Sequence, residues 1–184
     1  MFKLVTFAVL SACLIYISRA SLRTPRSHGF YRFFAWEFIL ALILINLERW
    51  FQQPFSIRQI ISWFLLIASS ILVVHGAYLL RVVGRPDNKR SEDVPLIGIE
   101  KTTSLVTVGA YKYIRHPIYS SLLFLAWGVF FKDPSWLGII IALAATTFLV
   151  ITAKVEEAEC LRYFGPSYQA YMRQPKMFVP FLGG

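Results

Sequence analysis

Acidic residues are scarce in this 184-residue chain: ten Asp and Glu stand against nineteen Lys and Arg, and charged residues of both signs make up only 16%. An ordinary soluble domain carries about 25% charged and about 45–50% apolar residues. Here the hydrophobic share is 57%, which excludes a soluble globular domain and defines an integral membrane protein. Cysteine is equally sparse. Cys13 falls in an apolar block and Cys160 in a polar tail, so neither a disulfide framework nor a metal pair is available. There is no internal repeat and no low-complexity tract. The first apolar run lacks a small-x-small cleavage pattern and is followed by Arg19, Arg23 and Arg26, the mark of an uncleaved span.

What the chain does have is long apolar blocks at 1–18, 33–51, 57–83, 117–131 and 135–153. Crossing a hydrocarbon core of ~30 Å takes ~20 residues, so the pattern predicts an all-α polytopic protein with about five transmembrane helices. The fourth block is short and joins the fifth through the turn-like Lys132-Asp133-Pro134-Ser135, predicting a tight helical hairpin. Under this arrangement fifteen of the nineteen Lys and Arg fall on one side, leaving Lys3, Arg49, Arg58 and Lys132 on the other. Such a split predicts an amino terminus outside and a carboxyl terminus in the cytoplasm. The basic balance then reports topology and anionic headgroups, with no nucleic acid involved. Compactness and short termini point to a bacterial inner membrane. The chain reads as a single domain: three spans over 1–83, a cytosolic loop over 84–116, the hairpin over 117–153 and a cytosolic tail over 154–184. No feature addresses oligomeric state.

The 84–116 stretch opens with Gly84-Arg85-Pro86-Asp87-Asn88-Lys89-Arg90 and carries Asp93 and Thr102-Thr103-Ser104; a loop this long in so small a protein is more often functional than filler. Ionisable groups inside spans are costly and face the bundle interior or a cavity. Glu37 is therefore expected either to line a passage or to pair with a basic residue of the first loop. Glu48 reads as an interfacial charge, and His75 as a packing residue or a channel-lining one. Past the fifth span, Val155, Ala158, Leu161 and Tyr163-Phe164 predict that the helix continues as an amphipathic segment. Gly165-Pro166 should stop it, and a further short helix is expected over 168–172.

Two polar clusters carry chemistry. The first is Gly109-Ala110-Tyr111-Lys112-Tyr113-Ile114-Arg115-His116-Pro117-Ile118-Tyr119. Proline has no N–H to lose in a first helical turn, so His116-Pro117 marks the entry to the fourth span; read plainly, it is a helix start with an interfacial aromatic belt. The second is Glu156-Glu157-Ala158-Glu159, followed by Phe164-Gly165-Pro166 and the tyrosines Tyr168 and Tyr171. Glu159 reads as part of a solvated face. Glu156 and Glu157 near a helix C-terminus oppose its dipole and need a positive partner. Folding the hairpin brings the two clusters to one membrane face.

The combination of Gly-x-Tyr-x-x-x-Arg-His-Pro-x-Tyr, a helical hairpin, Glu-Glu, Phe-Gly and Tyr-x-x-Tyr resembles the isoprenylcysteine carboxyl methyltransferases and their relatives, the membrane phospholipid methyltransferases. The resemblance runs over about 103–181. It implies S-adenosylmethionine held on the cytosolic side and a lipid-like acceptor entering from the bilayer. By that resemblance Leu105, Val106 and Tyr111 contact the cofactor, and His116, Pro117 and Tyr119 form its main cradle. Glu156 holds its cationic end with Glu157 in support, and Pro180 and Phe181 close the adenosine pocket. An amine or hydroxyl acceptor would need a general base, for which His116 and Glu157 are the candidates. The sequence departs from the pattern at Thr152, where the carboxyl methyltransferases carry a substrate-binding arginine. Lys154 or Arg173 would have to reach the acceptor instead. The alternatives are an N-methyltransferase of phospholipid amines and a non-enzymatic membrane scaffold or carrier.

Overall fold

The helix boundaries follow local capping chemistry more closely than hydropathy. The computed structural model describes residues 1–87, 95–96 and 98–180, so Asn88, Lys89, Arg90, Asp93 and Phe181 lie outside the described residues. Within these the α-helices are α1 (Phe2–Leu22), α2 (His28–Ile45), α3 (Ile57–Val82), α4 (Pro117–Phe130), α5 (Trp136–Phe164) and α6 (Pro166–Met172). No strand occurs among the described residues, only isolated bridges. Ser27 caps α2, its hydroxyl accepting from the Phe30 N–H at 3.2 Å. The helix therefore starts five positions before the apolar block at 33 and takes His28 and Arg32 out of the expected first loop. It ends at Ile45, where a 3-10 turn over Leu47–Arg49 follows. Ser135 caps α5 in the same way, accepting from the Gly138 N–H at 3.0 Å. Gly165 stops that helix with φ +59°, in the left-handed region that glycine enters without steric cost, and Pro166 opens α6.

Four helices, α1, α2, α3 and α5, are long and apolar enough to cross a membrane. The expected fourth span is shorter: α4 has 14 residues, about 21 Å at ~1.5 Å per residue, against a hydrocarbon core of ~30 Å. Its N-terminal residues, His116 and Pro117, are buried in the bundle. At 29 residues α5 is the longest helix, and its final turns carry Glu156 to Phe164 beyond the apolar part.

In the bundle α2 lies along α5, α3 lies along α4, α4 touches α2 and α5, and α1 flanks α2. The main core joins Ile39 and Leu42 of α2, Leu66 of α3, Ala126, Val129 and Phe130 of α4, and Ala142 and Ala145 of α5. Serine hydroxyls tie α3 to α4: Ser62 donates to the Gly128 carbonyl and Ser69 to the Ser121 carbonyl, each at 2.7 Å. Small residues and such hydrogen bonds are what hold helices together in lipid, where no hydrophobic force drives them.

Two expectations change at this level, those for Lys132 and Glu37. Lys132, counted as an outer-loop charge, is fully buried, its ammonium 3.6 Å from the Trp63 ring centroid and 3.0 Å from Gln59 Oε1. Beside it Asp133 pairs with Arg49 and Arg58. Glu37 accepts from the Ser11 hydroxyl of α1 at 2.6 Å, and among the described residues it meets no basic residue of the first loop. Glu48 is an exposed charge paired with Lys3 at 2.9 Å. His75 is exposed on α3, its ring close against Gly109.

Candidate active site

At the C-terminal end of α5, helices α2, α3, α4, α5 and α6, with Leu96 and loop residues between Ile99 and Tyr111, line a cavity of about 350 Å³. The stretch before α4 is held down by backbone pairing with the tail. Arg115 N–H donates to the Lys176 carbonyl at 2.7 Å, His116 N–H to that of Met177 at 3.2 Å, and Lys176 N–H to that of Tyr113 at 3.1 Å. Gly109 allows the preceding turn: its φ is +59°, and a Cβ there would stand 2.7 Å from Leu79 Cδ1. The Tyr171 hydroxyl of α6 then donates to the Tyr111 carbonyl at 2.7 Å, closing α6 over the turn.

His116 is the N-cap residue of α4 and is buried. Its Nδ1 lies 3.0 Å from Glu156 Oε2 and its Nε2 3.2 Å from Glu157 Oε1. Carboxylates only accept, so both ring nitrogens must donate and the ring is an imidazolium. Burial by itself pushes the imidazole pKa down, but the hydrogen bonds and charges of Glu156 and Glu157 outweigh it and hold the value above the ordinary 6.5. The ring stacks on Tyr119 at 5.5 Å and 18°. Arg115 completes the cluster by donating from Nε to Glu157 at 2.6 Å and from a terminal nitrogen to the Pro175 carbonyl at 2.7 Å. The positive partners that the two glutamates require are thus His116 and Arg115 of the chain itself. Neighbours on a helix point about 100° apart, which is why Glu156 faces the cavity while Glu157 turns to Arg115.

Of the residues singled out in the sequence, Leu105, Val106, Tyr111, His116, Tyr119 and Glu156 line the cavity. Pro117 is buried directly behind His116 as the first residue of α4, Glu157 lies behind the His116 ring, and Pro180 is in the half-buried tail. Thr152 is fully buried, its hydroxyl given to the Phe148 carbonyl of its own helix at 2.7 Å. Lys154 and Arg173 are exposed and do not line the cavity. The solvated face expected for Glu159 is absent: that residue is 6% exposed and grips His28, accepting from the backbone N–H at 3.0 Å and meeting Nδ1 at 2.5 Å.

Helix α2 contributes a set of lining residues that sequence reasoning missed: His28, Arg32 and Trp36. Arg32 pairs with Glu100 from the loop and its guanidinium lies 4.8 Å from the Trp36 ring centroid. A signal was present. The three are spaced by four, which stacks them on one helix face. Tyr168 and Tyr171 of α6, with Phe164, form the aromatic side of the cavity. Burial raises the hydroxyl pKa of Tyr111, Tyr168 and Tyr171, so all three remain neutral donors.

A helical membrane bundle with a polar, aromatic cavity closed by its own tail is the class that fold and site define. A family model described as phospholipid methyltransferase matches residues 57–167, more than half of the chain. The chain belongs to that family. Among curated proteins it is 26% identical over 124 residues to a methanethiol S-methyltransferase of Crocosphaera subtropica, covering 67% of this chain and 45% of that protein. It is 27% identical over 122 residues to a methanethiol S-methyltransferase of Pseudomonas deceptionensis, covering 66% and 43%. It is 28% identical over 126 residues to a protein-S-isoprenylcysteine O-methyltransferase of Rattus norvegicus, covering 67% and 44%. The chain thus spans less than half the length of these relatives.

Proposed function

We propose that the chain is an integral membrane methyltransferase that uses S-adenosylmethionine to methylate a lipid-like acceptor, the carboxylate of an isoprenylcysteine being the leading candidate. The observation that carries the reading is Glu156: a carboxylate held by His116 at 3.0 Å and presented to a cavity whose other side is aromatic. Sulfonium and ammonium groups favour such carboxylates and ring faces. The volume of about 350 Å³ falls within the ~300–1,000 Å³ of small-molecule sites. The residues present therefore fit the cofactor: Glu156 for its cationic end, and Tyr111, Phe164, Tyr168 and Tyr171 for its ring system, with Leu105 and Val106 on the apolar wall. Glu157, Pro117 and Pro180 support this cradle from behind. When bound, the cofactor supplies an already activated methyl group.

The residues then have to align two partners and exclude water, and positioning of this kind can supply ~7–11 kcal/mol. His116 is doubly hydrogen-bonded to carboxylates and serves as a countercation rather than the general base the sequence suggested; Glu157 is engaged by Arg115. A carboxylate acceptor needs no base. Ile118, Leu122, Val73 and Trp36 give the cavity its apolar side, suited to a hydrocarbon tail. The excess of basic residues on the loop and tail supports the carboxyl terminus and this cavity facing the cytoplasm.

A second reading, a thiol acceptor, is favoured by the names of the Crocosphaera and Pseudomonas relatives. The test is transfer of tritiated methyl from S-adenosylmethionine by the purified protein in nanodiscs. A farnesylated cysteine analogue, phosphatidylethanolamine vesicles and methanethiol are supplied in turn. Base-labile label on the farnesyl compound supports the proposal, and label on methanethiol or stable label on phosphatidylethanolamine replaces the acceptor. A preparation that binds the cofactor yet labels none of the three contradicts the proposed reaction.

A further inference from the structure

The cavity contains a buried donor that no described residue satisfies. Arg32 is 3% exposed and lines the cavity, and its Nε has no hydrogen-bond partner among the described residues. One terminal nitrogen is taken by Glu100, the Tyr119 hydroxyl faces the guanidinium, and the flat face lies over Trp36. The other basic lining groups are already engaged. Arg115 is spent on Glu157, Met172 and Pro175; His116 lies between two carboxylates, and His28 between Glu100 and Glu159. A buried N–H without a partner is costly, and the Nε edge of a guanidinium matches a carboxylate in two parallel hydrogen bonds.

Resting on the methyltransferase reading above, we propose that Arg32 is the carboxylate-binding residue of the cavity. Its ligand is a planar, singly charged carboxylate docked on the Nε edge beside Trp36. Planarity follows from the guanidinium: one face is against the Trp36 ring, and its N–H groups point in its own plane. Single charge follows from Glu100, Glu156 and Glu159, which line the same cavity and repel a dianion. Two ligands of a methyltransferase carry such a group, the acceptor and the amino-acid end of the cofactor. The Ser27 cap places Arg32 in α2 rather than in the first loop.

The experiment measures equilibrium binding to the full chain in nanodiscs for wild type, R32Q, R32K and the charge-balanced double variant R32Q/E100Q. The double variant keeps the measurement valid should R32Q alone fail to fold. Four probes are used: S-adenosylmethionine, its decarboxylated form, N-acetyl-farnesylcysteine, and the corresponding carboxamide. A loss of at least tenfold for one carboxylate-bearing probe, with its carboxylate-free counterpart unchanged and R32K intermediate, supports the proposal, and the probe affected identifies the source. Equal losses within both pairs, or no loss in either, overturn it. A wild type that binds the cofactor and transfers methyl while R32Q is indifferent overturns the Arg32 assignment alone. A wild type that binds none of the four overturns the proposed function with it.

Discussion

Glu156→Gln tests the carboxylate at the heart of the site with the least disturbance to the fold. Glu156 Oε2 meets His116 Nδ1 at 3.0 Å, and a glutamine in the same place keeps an oxygen to accept that bond while losing the charge. His116 also keeps Glu157 at 3.2 Å, so the imidazolium is not stranded. What disappears is the attraction for a cationic ligand. The Glu156 side chain is 24% exposed, so water screens part of its field and an interior Coulomb value would overstate the effect. A charge-assisted hydrogen bond contributes ~1.5–3 kcal/mol, which corresponds to a dissociation constant for S-adenosylmethionine raised about 10- to 150-fold. Calorimetric titration in nanodiscs measures it, with circular dichroism and the melting temperature as controls. A folded E156Q protein that binds the cofactor as tightly as wild type would refute the role given to this carboxylate.

Further outcomes follow from the same geometry. The His116 value is raised in the folded protein by Glu156 and Glu157 against the opposing effect of burial; its stabilising contribution is therefore fully present below about pH 6.5, the ordinary imidazole value, and is lost as pH rises through the folded value. Thermal unfolding across that range should show stability falling with pH in wild type and a flatter profile in H116Q; equal slopes would contradict the imidazolium assignment. A cation arriving at Glu156 lowers the His116 value again, so cofactor binding should release protons, seen as a dependence of the calorimetric heat on buffer ionisation. Y171F removes the 2.7 Å bond to the Tyr111 carbonyl and leaves a buried acceptor unpaired, costing ~1–3 kcal/mol in unfolding experiments. G109A forces a side chain into φ +59° against Leu79; the left-handed conformation alone costs ~1–2 kcal/mol, and the cofactor affinity should drop with it because Tyr111 follows directly.

The lipid-crossing scaffold was legible because hydropathy governs it: the third apolar block at 57–83 and α3 at Ile57–Val82 nearly coincide. The His116-Pro117 entry and the Gly165-Pro166 stop were legible for a different reason, since proline and glycine restrict the backbone locally whatever surrounds them. Charge was harder to read. Arg32, Glu159 and Lys132 all count as surface charges by composition, yet all three are buried, because their partners come from elsewhere in the chain: Glu100, His28 and the Trp50–Trp63 pair. Such pairings span 131 residues for His28 and Glu159, and no local pattern announces them. The four-residue spacing of His28, Arg32 and Trp36 carries meaning only within a helix, and it is the Ser27 cap that starts one there.

Methyl transfer is measured in a single-turnover reaction of the purified protein, reconstituted in nanodiscs with excess acceptor and a limiting charge of S-adenosylmethionine, followed by mass spectrometry. Stoichiometric conversion to S-adenosylhomocysteine is expected, matched by a one-methyl mass gain on the acceptor and abolished or strongly slowed in E156Q. Recovery of the cofactor intact with every acceptor class, from a protein that is folded and binds it, would mean that the cavity does not carry out methyl transfer.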